Sequence, residues 1–386
     1  MDIFINAASM TPMYQSGQNE TKLLTDIFKD LISQYQIEPT NLQAVIVSNS
    51  YGAISMRQAG IRPQSWLKNL NLAPVPFYSL ESACAGGSVG LDLACQMLEP
   101  GGKILVMGVE YCSNLSLKAK LNGIAQGVPE DERQLIKENY GSLSRGSLFL
   151  GINEYWGRML LSQGLATMEQ IVATTVKSWY HGSLNPLATR RQKISKEDVM
   201  NSKKVSDLLT IPMCSIFADG AAGVIISNDK TSNSVRIKAC NGYSGNGTLE
   251  YHERIKSSTK TTLLKAGVDI KDFDCMEIHD ATSVEELYSL ESLELFEKGE
   301  AGQHILNGDL TLGGSGPIIN PSGGLVSRGH PIGATGLCQI YELFLQLSGN
   351  AQMRQIENAS KALAINAGGT VSMDAASLTV TVLESS

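Results

Sequence analysis

The 386-residue sequence has no C-x-x-C pair, only five histidines and no apolar run long enough to span a bilayer. Its seven cysteines, Cys84, Cys95, Cys112, Cys214, Cys240, Cys275 and Cys338, are odd in number and lack metal-ligand spacing. That excludes a disulfide framework and a zinc ribbon, no metal site is expected, and reduced thiols fit a reducing compartment. An excess of positive charge is missing too: 31 Lys and Arg face 38 Asp and Glu, for a net charge of -7. Nothing in that balance attracts nucleic acid or an anionic membrane. The opening MDIFINAASMTPMY has no basic region followed by a long apolar stretch, so no secretory signal is expected. The closing TVTVLESS is not a Ser-Lys-Leu address. The expectation is a cytoplasmic protein.

What is present is an ordinary globular composition, 42% hydrophobic and 18% charged. The length exceeds what one core serves, so two core units or one duplicated unit are expected. DIFINAA and LQAVIVSNS read as strands. TKLLTDIFKDLISQYQ reads as an amphipathic helix with Leu23, Leu24, Ile27, Leu31 and Ile32 on one face. The stretch from about Ala83 to Met97 reads as a helix and GGKILVMGVE as another buried strand. This alternation predicts an α/β architecture with helices on a largely parallel sheet. From about 113 to 212 the pattern loosens into an insertion holding GVPEDERQLIKENYGSLSRG, NEYWGRM and ATRRQKISK. IFADGAAGVIISND resumes strand, and helix-then-strand order returns in STKTTLLKAGVDIKDFDCMEIHD. KALAINAGG and AASLTVTVLES close with two strands. The reading is an N-terminal half over 1–231, carrying the insertion, and a C-terminal half over 232–386.

One comparison between the halves carries chemistry. CAGGSVGL begins at Cys84 and HPIGATGL at His330; Gly87 then matches Gly333, Gly90 matches Gly336 and Leu91 matches Leu337 at equal offsets. With the repeated element order, this suggests an internal duplication. In a pseudo-twofold pair, equivalent helix starts face each other, which would bring Cys84 and His330 together. A helix N-terminus lowers a thiol pKa, an imidazole takes its proton, and glycines open backbone N–H groups to a developing oxyanion. His279 ends the strand CMEI, where α/β sheets place ligands. His252 and His304 lie in polar loop contexts and read as structural; His181, inside the insertion, is intermediate. Cys275 reads as core and NEYWGRM as packing.

Taken together, ACAGG at Cys84, HGSLNPLA at His181, DGAAGV at Asp219, HDATSVEE at His279, NPSGGLVSRGHPIGATGL at Asn320 and NAGG at Asn366 resemble the thiolase superfamily, most closely its sterol-carrier-protein type. The resemblance spans nearly the whole chain. It implies a duplicated five-layer αβαβα fold with a loop-domain insertion, and an acyl-cysteine mechanism on coenzyme A or carrier-protein thioesters. No tightly bound cofactor is implied. Cys84 would be the nucleophile, His330 its activating base, and His279 a donor to the thioester oxygen. The N–H groups of Cys84 and Gly368 would form the oxyanion hole, with Asn366 and Glu286 in support. His181, Asn185 and Pro186 would line a coenzyme A tunnel, and Arg190 and Arg191, with Lys193 and Lys196, would reach its phosphates or an acidic carrier. The resemblance also implies a homodimer and allows a small zinc-ribbon or OB-fold partner.

The departures narrow the chemistry. Thiolases that condense two acyl-CoA molecules use a second cysteine, and Asn366 and Ala281 stand at the two positions where it occurs. Thr282 replaces the usual Phe. Abstracting an α-proton needs a positioned base, so the expectation is acyl transfer from Cys84 to an acceptor that is already nucleophilic. The alternatives are decarboxylative condensation on a Cys-His-His set, ordinary acetyl-CoA C-acyl transfer, and a non-catalytic subunit.

Overall fold

The computed structural model describes residues 2–14, 18–55, 57–140 and 147–386. Among these, ten strands form one mixed sheet: β1 Ile3–Met10, β2 Ala44–Ser48, β3 Phe77–Leu80, β4 Lys103–Glu110, β5 Gly220–Ser227, β6 Val235–Ser244, β7 Cys275–Ile278, β8 Ile318–Ile319, β9 Lys361–Val371 and β10 Asp374–Ser385. Their order is β3-β2-β4-β5-β1-β6-β10-β9-β7-β8. Read outward from the antiparallel β1–β6 pair, the two sides carry the same topology: β1, β5, β4, β2, β3 on one side and β6, β10, β9, β7, β8 on the other.

The expectation of a largely parallel sheet is corrected. Pairing is parallel only among β2, β3 and β4 and among β7, β8 and β9. β5 and β10 run antiparallel to both their neighbours. The physical reason is visible at β9–β10, joined by Ser372 and Met373 alone, both with positive φ (47° and 69°). Two left-handed residues make the tight turn whose twist suits a hairpin, and a hairpin must reverse direction. Neither residue is a Gly or Asn, so the turn left no mark in the sequence.

Helix Glu20–Tyr35 forms as its pattern predicts. Asn19 caps it by accepting from the Lys22 N–H, and Leu23, Leu24, Ile27, Phe28 and Leu31 are buried against the outer side of β1 and β5. Helix Tyr251–Ala266 packs correspondingly on β6 and β10. Helices Gly86–Met97 and Thr335–Leu347 pack on each other, and each also touches strands of both halves. The starts of these two central helices are where Cys84 and His330 lie. Between β4 and β5 the described residues hold helices Leu117–Ile124, Glu130–Tyr140, Leu148–Ser162, Met168–Ser183 and Lys196–Asn201. Residues 141–146 of the expected insertion lie outside the described residues.

Candidate active site

Cys84 follows β3 through a sharp turn. Ala83 adopts a left-handed backbone (φ 47°), a conformation that costs an L-residue about 1–2 kcal/mol, and this bends the chain into the turn Ala83–Ala85 ahead of helix Gly86–Met97. His330 is held from the other half, its backbone N–H donating to the Ile216 carbonyl at 2.9 Å. The two helix starts cross closely because glycine permits it. A Cβ on Gly87 would lie 3.2 Å from the Gly333 carbonyl oxygen, and one on Gly336 would lie 2.6 Å from the Ser88 Cβ. Gly87, Gly333 and Gly336 thus lie at the contact between the two helix starts, while Gly90 faces Val106 and Ile46 of its own half. The result places Cys84 Sγ 3.3 Å from His330 Nε2, both groups buried.

Hydrogen-bond partners fix which nitrogen carries the proton. The Thr335 hydroxyl donates to the Pro331 carbonyl at 3.0 Å. It therefore accepts from His330 Nδ1–H at 2.7 Å, which leaves Nε2 unprotonated and facing the thiol. His279 is arranged the opposite way. It lies just beyond β7, its N–H donating to Ile365 on the parallel neighbour β9, so Asn366 is next to it. The Asn366 amide donates to His279 Nδ1 at 3.1 Å, while its oxygen accepts from Ser88 Oγ at 2.9 Å. His279 therefore carries its proton on Nε2. Its ring meets that of His330 edge-on, centroids 5.5 Å apart. Cys84, His279 and His330 can bring one ligand atom each within 4.8 Å of one another.

Electrostatics make this a neutral resting pair. Burial, then the negative charges of Glu285 and Glu110, push the Cys84 thiol above its ordinary range. The expected lowering by the helix start is outweighed, because desolvation of a buried thiolate exceeds the effect of a few N–H dipoles. Burial pushes His330 well down, helped by His279 and Arg328, and lowers His279 to about 3. The site thus holds one thiol proton, one acceptor nitrogen beside it, and one N–H donor opposite.

Gly368 is packed directly on the Cys84 backbone: an added Cβ would lie 2.9 Å from the Cys84 N and 2.5 Å from the Ala85 N. Glu286 lies deeper. It pairs with Lys177 at 2.9 Å and accepts from the Asn320 amide at 2.9 Å, and Asn320 in turn accepts the Ile278 N–H. It braces the strand end that carries His279.

The structure does not bring the four expected binding residues to this site. His181 is fully buried, donating to the Asn320 carbonyl and accepting the Leu312 N–H. Asn185 spends its amide on the Ser322 carbonyl and the Leu187 N–H. Arg190 is caged by the carbonyls of Cys214 and Val326 and stacked on Trp179. Arg191 lies over Tyr14, Lys193 over Tyr180, and Lys196 pairs with Glu169. None of the four lines the two cavities that reach Cys84. A buried polar side chain in a helical insertion bonds to backbone first, and that need claimed His181, Asn185 and Arg190, while Arg191 stays exposed over Tyr14.

Those cavities meet at Cys84, Ile124, Phe149 and Gly368. One is an open cleft of about 650 Å³ reaching Arg62, Glu81 and Arg133. The other is a narrow pocket of about 140 Å³ with His279 and His330 on its wall. Sequence reading missed several groups here. Thr335, which sets the His330 tautomer, was visible only as the fifth residue after His330. Asn153 and Trp156 come from the insertion, Trp156 stacking on Tyr251 and Tyr288 as packing predicts. Glu285 sits one residue before the expected supporting carboxylate and faces the pocket instead.

A buried cysteine beside an acceptor imidazole, at the crossing of two helix starts in a sheet of twofold topology, fits an acyltransferase of the thiolase fold. The comparisons agree: residues 3–142 match the family model for the thiolase N-terminal domain and residues 245–381 that for the thiolase C-terminal domain-like region. The chain belongs to the thiolase superfamily. It is 30% identical over 380 residues to an acetyl-CoA acetyltransferase of Methanothermobacter thermautotrophicus, covering 92% of this chain and 95% of that one. It is 29% identical over 389 residues to human sterol carrier protein 2 (95% of this chain, 70% of that one). It is also 29% identical over 332 residues to the benzoylsuccinyl-CoA thiolase subunit BbsB of Thauera aromatica (83% and 82%). Among solved structures, a chain of the Ltp2-ChsH2(DUF35) aldolase superposes with a TM-score of 0.78 at 16% identity, covering 100% of this chain and 98% of that one, which is a likeness of fold. No helix among the described residues is long and apolar enough to cross a membrane.

Proposed function

We propose that this chain takes an acyl group from a thioester of coenzyme A or a phosphopantetheine carrier onto Cys84 and passes it to a separate nucleophilic acceptor, in a biosynthetic role in the cytoplasm. The observation that carries the reading is the 3.3 Å contact of Cys84 Sγ with His330 Nε2, the second ring nitrogen being committed to Thr335. In the first step the thiol gives its proton to His330 as sulfur attacks the thioester carbonyl. The tetrahedral oxyanion is held by the N–H groups of Cys84 and Gly368. Collapse breaks the donor C–S bond, and His330 returns the proton to the departing thiol. Asn366, at one of the two second-cysteine positions, orients His279 instead of moving protons. His279 offers its Nε2–H to a carbonyl oxygen.

One observation supports a second reading. His279 and His330 meet edge-on beside Cys84, an arrangement that would also stabilise the enolate of a decarboxylating donor. Similarity to acetyl-CoA acetyltransferase keeps ordinary condensation as a further outcome of the tests. On this reading the chain is a duplicated five-layer αβαβα protein with halves 1–231 and 232–386 and a loop domain at about 113–212. It acts as a homodimer, and the ChsH2(DUF35) component named with the protein of like fold supports a search for a small partner.

The test is intact-protein mass spectrometry after incubation with a panel of acyl-CoA and acyl-carrier-protein donors. An acyl adduct that is absent from Cys84→Ala is the expected result. No adduct with any donor, or an adduct that survives in Cys84→Ala, would overturn the reading. A companion variant addresses the oxyanion hole. In Gly368→Ala the new methyl would press on the Cys84 and Ala85 backbone nitrogens at 2.9 and 2.5 Å. Displacing one such donor is expected to slow adduct formation about 10²–10³-fold. Loading at the parental rate would show that Gly368 holds no part of the hole.

A further inference from the structure

Glu285 stands out once the pocket walls are compared. It opens helix Ser283–Ser292 and is the one carboxylate among the described residues lining the narrow pocket with Cys84, His279 and His330. Its Oε1 accepts from the Tyr251 hydroxyl at 2.8 Å and its Oε2 from the Ala281 N–H at 3.2 Å. The carboxyl group is thus tied to the residue that stands where a sterol-carrier-type thiolase would carry its second cysteine. Among the described residues no Lys, Arg or His pairs with it. A buried carboxylate without a cation is costly, and here its two oxygens each take a donor, Tyr251 on one and Ala281 on the other. Those two bonds hold the carboxyl group on the pocket wall that Cys84, His279 and His330 share.

We propose that Glu285 is the acid–base residue of the second half-reaction, taking the proton from a protic acceptor, a hydroxyl, an amine or water, as that acceptor attacks the acyl group on Cys84. The inference rests on the acyl-Cys84 reading above. The acceptor's heteroatom forms a bond to the acyl carbon while its hydrogen passes to a Glu285 oxygen. The tetrahedral oxyanion collapses, the acyl C–S bond breaks and its electron pair goes to the Cys84 sulfur. The ester, amide or acid leaves, and proton exchange with solvent resets the Glu285 carboxyl and the Cys84 thiolate. No oxidant or further reactant is needed.

The environment suits this role. Burial raises Glu285 to about 7, with the Tyr251 and Ala281 hydrogen bonds pulling the other way. The titratable groups facing it are Tyr251 from helix Tyr251–Ala266, Cys214 from the strand-like segment before β5, and Cys84, His279 and His330 across the pocket. Burial holds Tyr251, Cys84 and Cys214 up and both histidines down. Among the groups lining this pocket Glu285 is therefore the one that changes charge between roughly pH 5 and 9; Glu110, also raised to about 7, acts on Cys84 from outside the pocket.

Water serves as the acceptor probe. The protein is loaded from acetyl-CoA, freed of donor, and the acyl mass is followed over time. In the parent, loss of the acyl group is expected to rise with pH through about 7 and then level. Glu285→Gln is expected still to load Cys84 but to deacylate about 10²-fold or more slowly, without that rise, and Glu285→Asp to recover part of it. Hydroxylamine, a nucleophile that needs little base assistance, should strip the acyl group from parent and Glu285→Gln alike. Parental deacylation by Glu285→Gln would overturn the proposal. So would a loss of loading and hydroxylamine reactivity together, which would mark a packing role. A parent that takes no acyl group at all would instead refute the preceding section's reading.

Discussion

Replacing His330 with alanine is expected to slow acylation of Cys84 by about 10²–10⁴-fold and to turn a nearly flat pH profile into a climbing one. The argument follows from the resting state. The thiol is held above its ordinary range by burial, so almost no thiolate exists near neutral pH. His330 sits far below its ordinary range, so its Nε2 is free to accept a proton across the whole neutral region. In the parent, neither group changes charge there and the rate varies little with pH. Without the imidazole no acceptor is held against the sulfur, hydroxide becomes the main base, and the residual rate should rise with pH, by up to about tenfold per unit. Time-resolved intact mass across pH measures both features. A His330→Ala protein that loads at a pH-independent, parental rate would rule out His330 as the base. Thr335→Val offers a milder variant: it removes the acceptor that fixes the imidazole tautomer while leaving the ring in place.

The largest expected loss of stability comes from Arg328→Met. Arg328 is fully buried two residues before His330, its Nη1 3.1 Å from Glu277 Oε2 and 3.1 Å from Ser322 Oγ. Removing the cation strands Glu277, which costs about 3–5 kcal/mol where buried pairs are broken from one side. The pH dependence has a definite sign. Burial already raises Glu277 from its ordinary 4.5 to about 7, and Arg328 is the strongest influence in the opposite direction. Loss of Arg328 raises the folded-state value further. Above the unfolded value the unfolded chain releases this proton freely and the folded one does not, so stability falls as pH rises. The variant should therefore lose more stability at about pH 8 than at about pH 5. Denaturant melts at the two values test this. An equal loss at both would show that Glu277 is not the stranded group.

Much of the site was legible in the sequence because it is built from helix starts. A run of small residues after a strand, CAGGSVGL, has few other structural uses, and its match with HPIGATGL pairs two such starts through an implied twofold. The structure gives that match its cause: Gly87 lies against Gly333 and Gly336 against Ser88, contacts that no larger residue could make. His279 was legible as a polar residue at a strand end, and the parallel β7–β9 pairing puts Asn366 beside it.

Other features were not legible. The Ser372-Met373 hairpin has no Gly or Asn, so the antiparallel course of β10 could not be read from the turn. His181, Asn185, Arg190 and Arg191 were assigned to thioester binding on motif position and charge. Whether a polar side chain faces a cavity or a carbonyl is decided by neighbours distant in sequence: Asn320 and Leu312 for His181, Val326 for Arg190. Glu285 and Glu286 show the same limit most sharply. They are adjacent and chemically identical, yet on a helix they point about 100° apart. Glu286 goes inward to Lys177 and Asn320, and Glu285 goes to the pocket.

By itself the sequence determined which groups are on hand: a cysteine at a helix start, two histidines at element ends, and no second cysteine at either motif position. Those follow from residue identity and local pattern, which short-range physics controls. Only the tertiary structure decided the protonation states and the missing partner. Burial, which no single segment sets, made the Cys84–His330 pair neutral. The packing of helix Ser283–Ser292 against helix Tyr251–Ala266 turned Glu285 toward the pocket that holds Cys84.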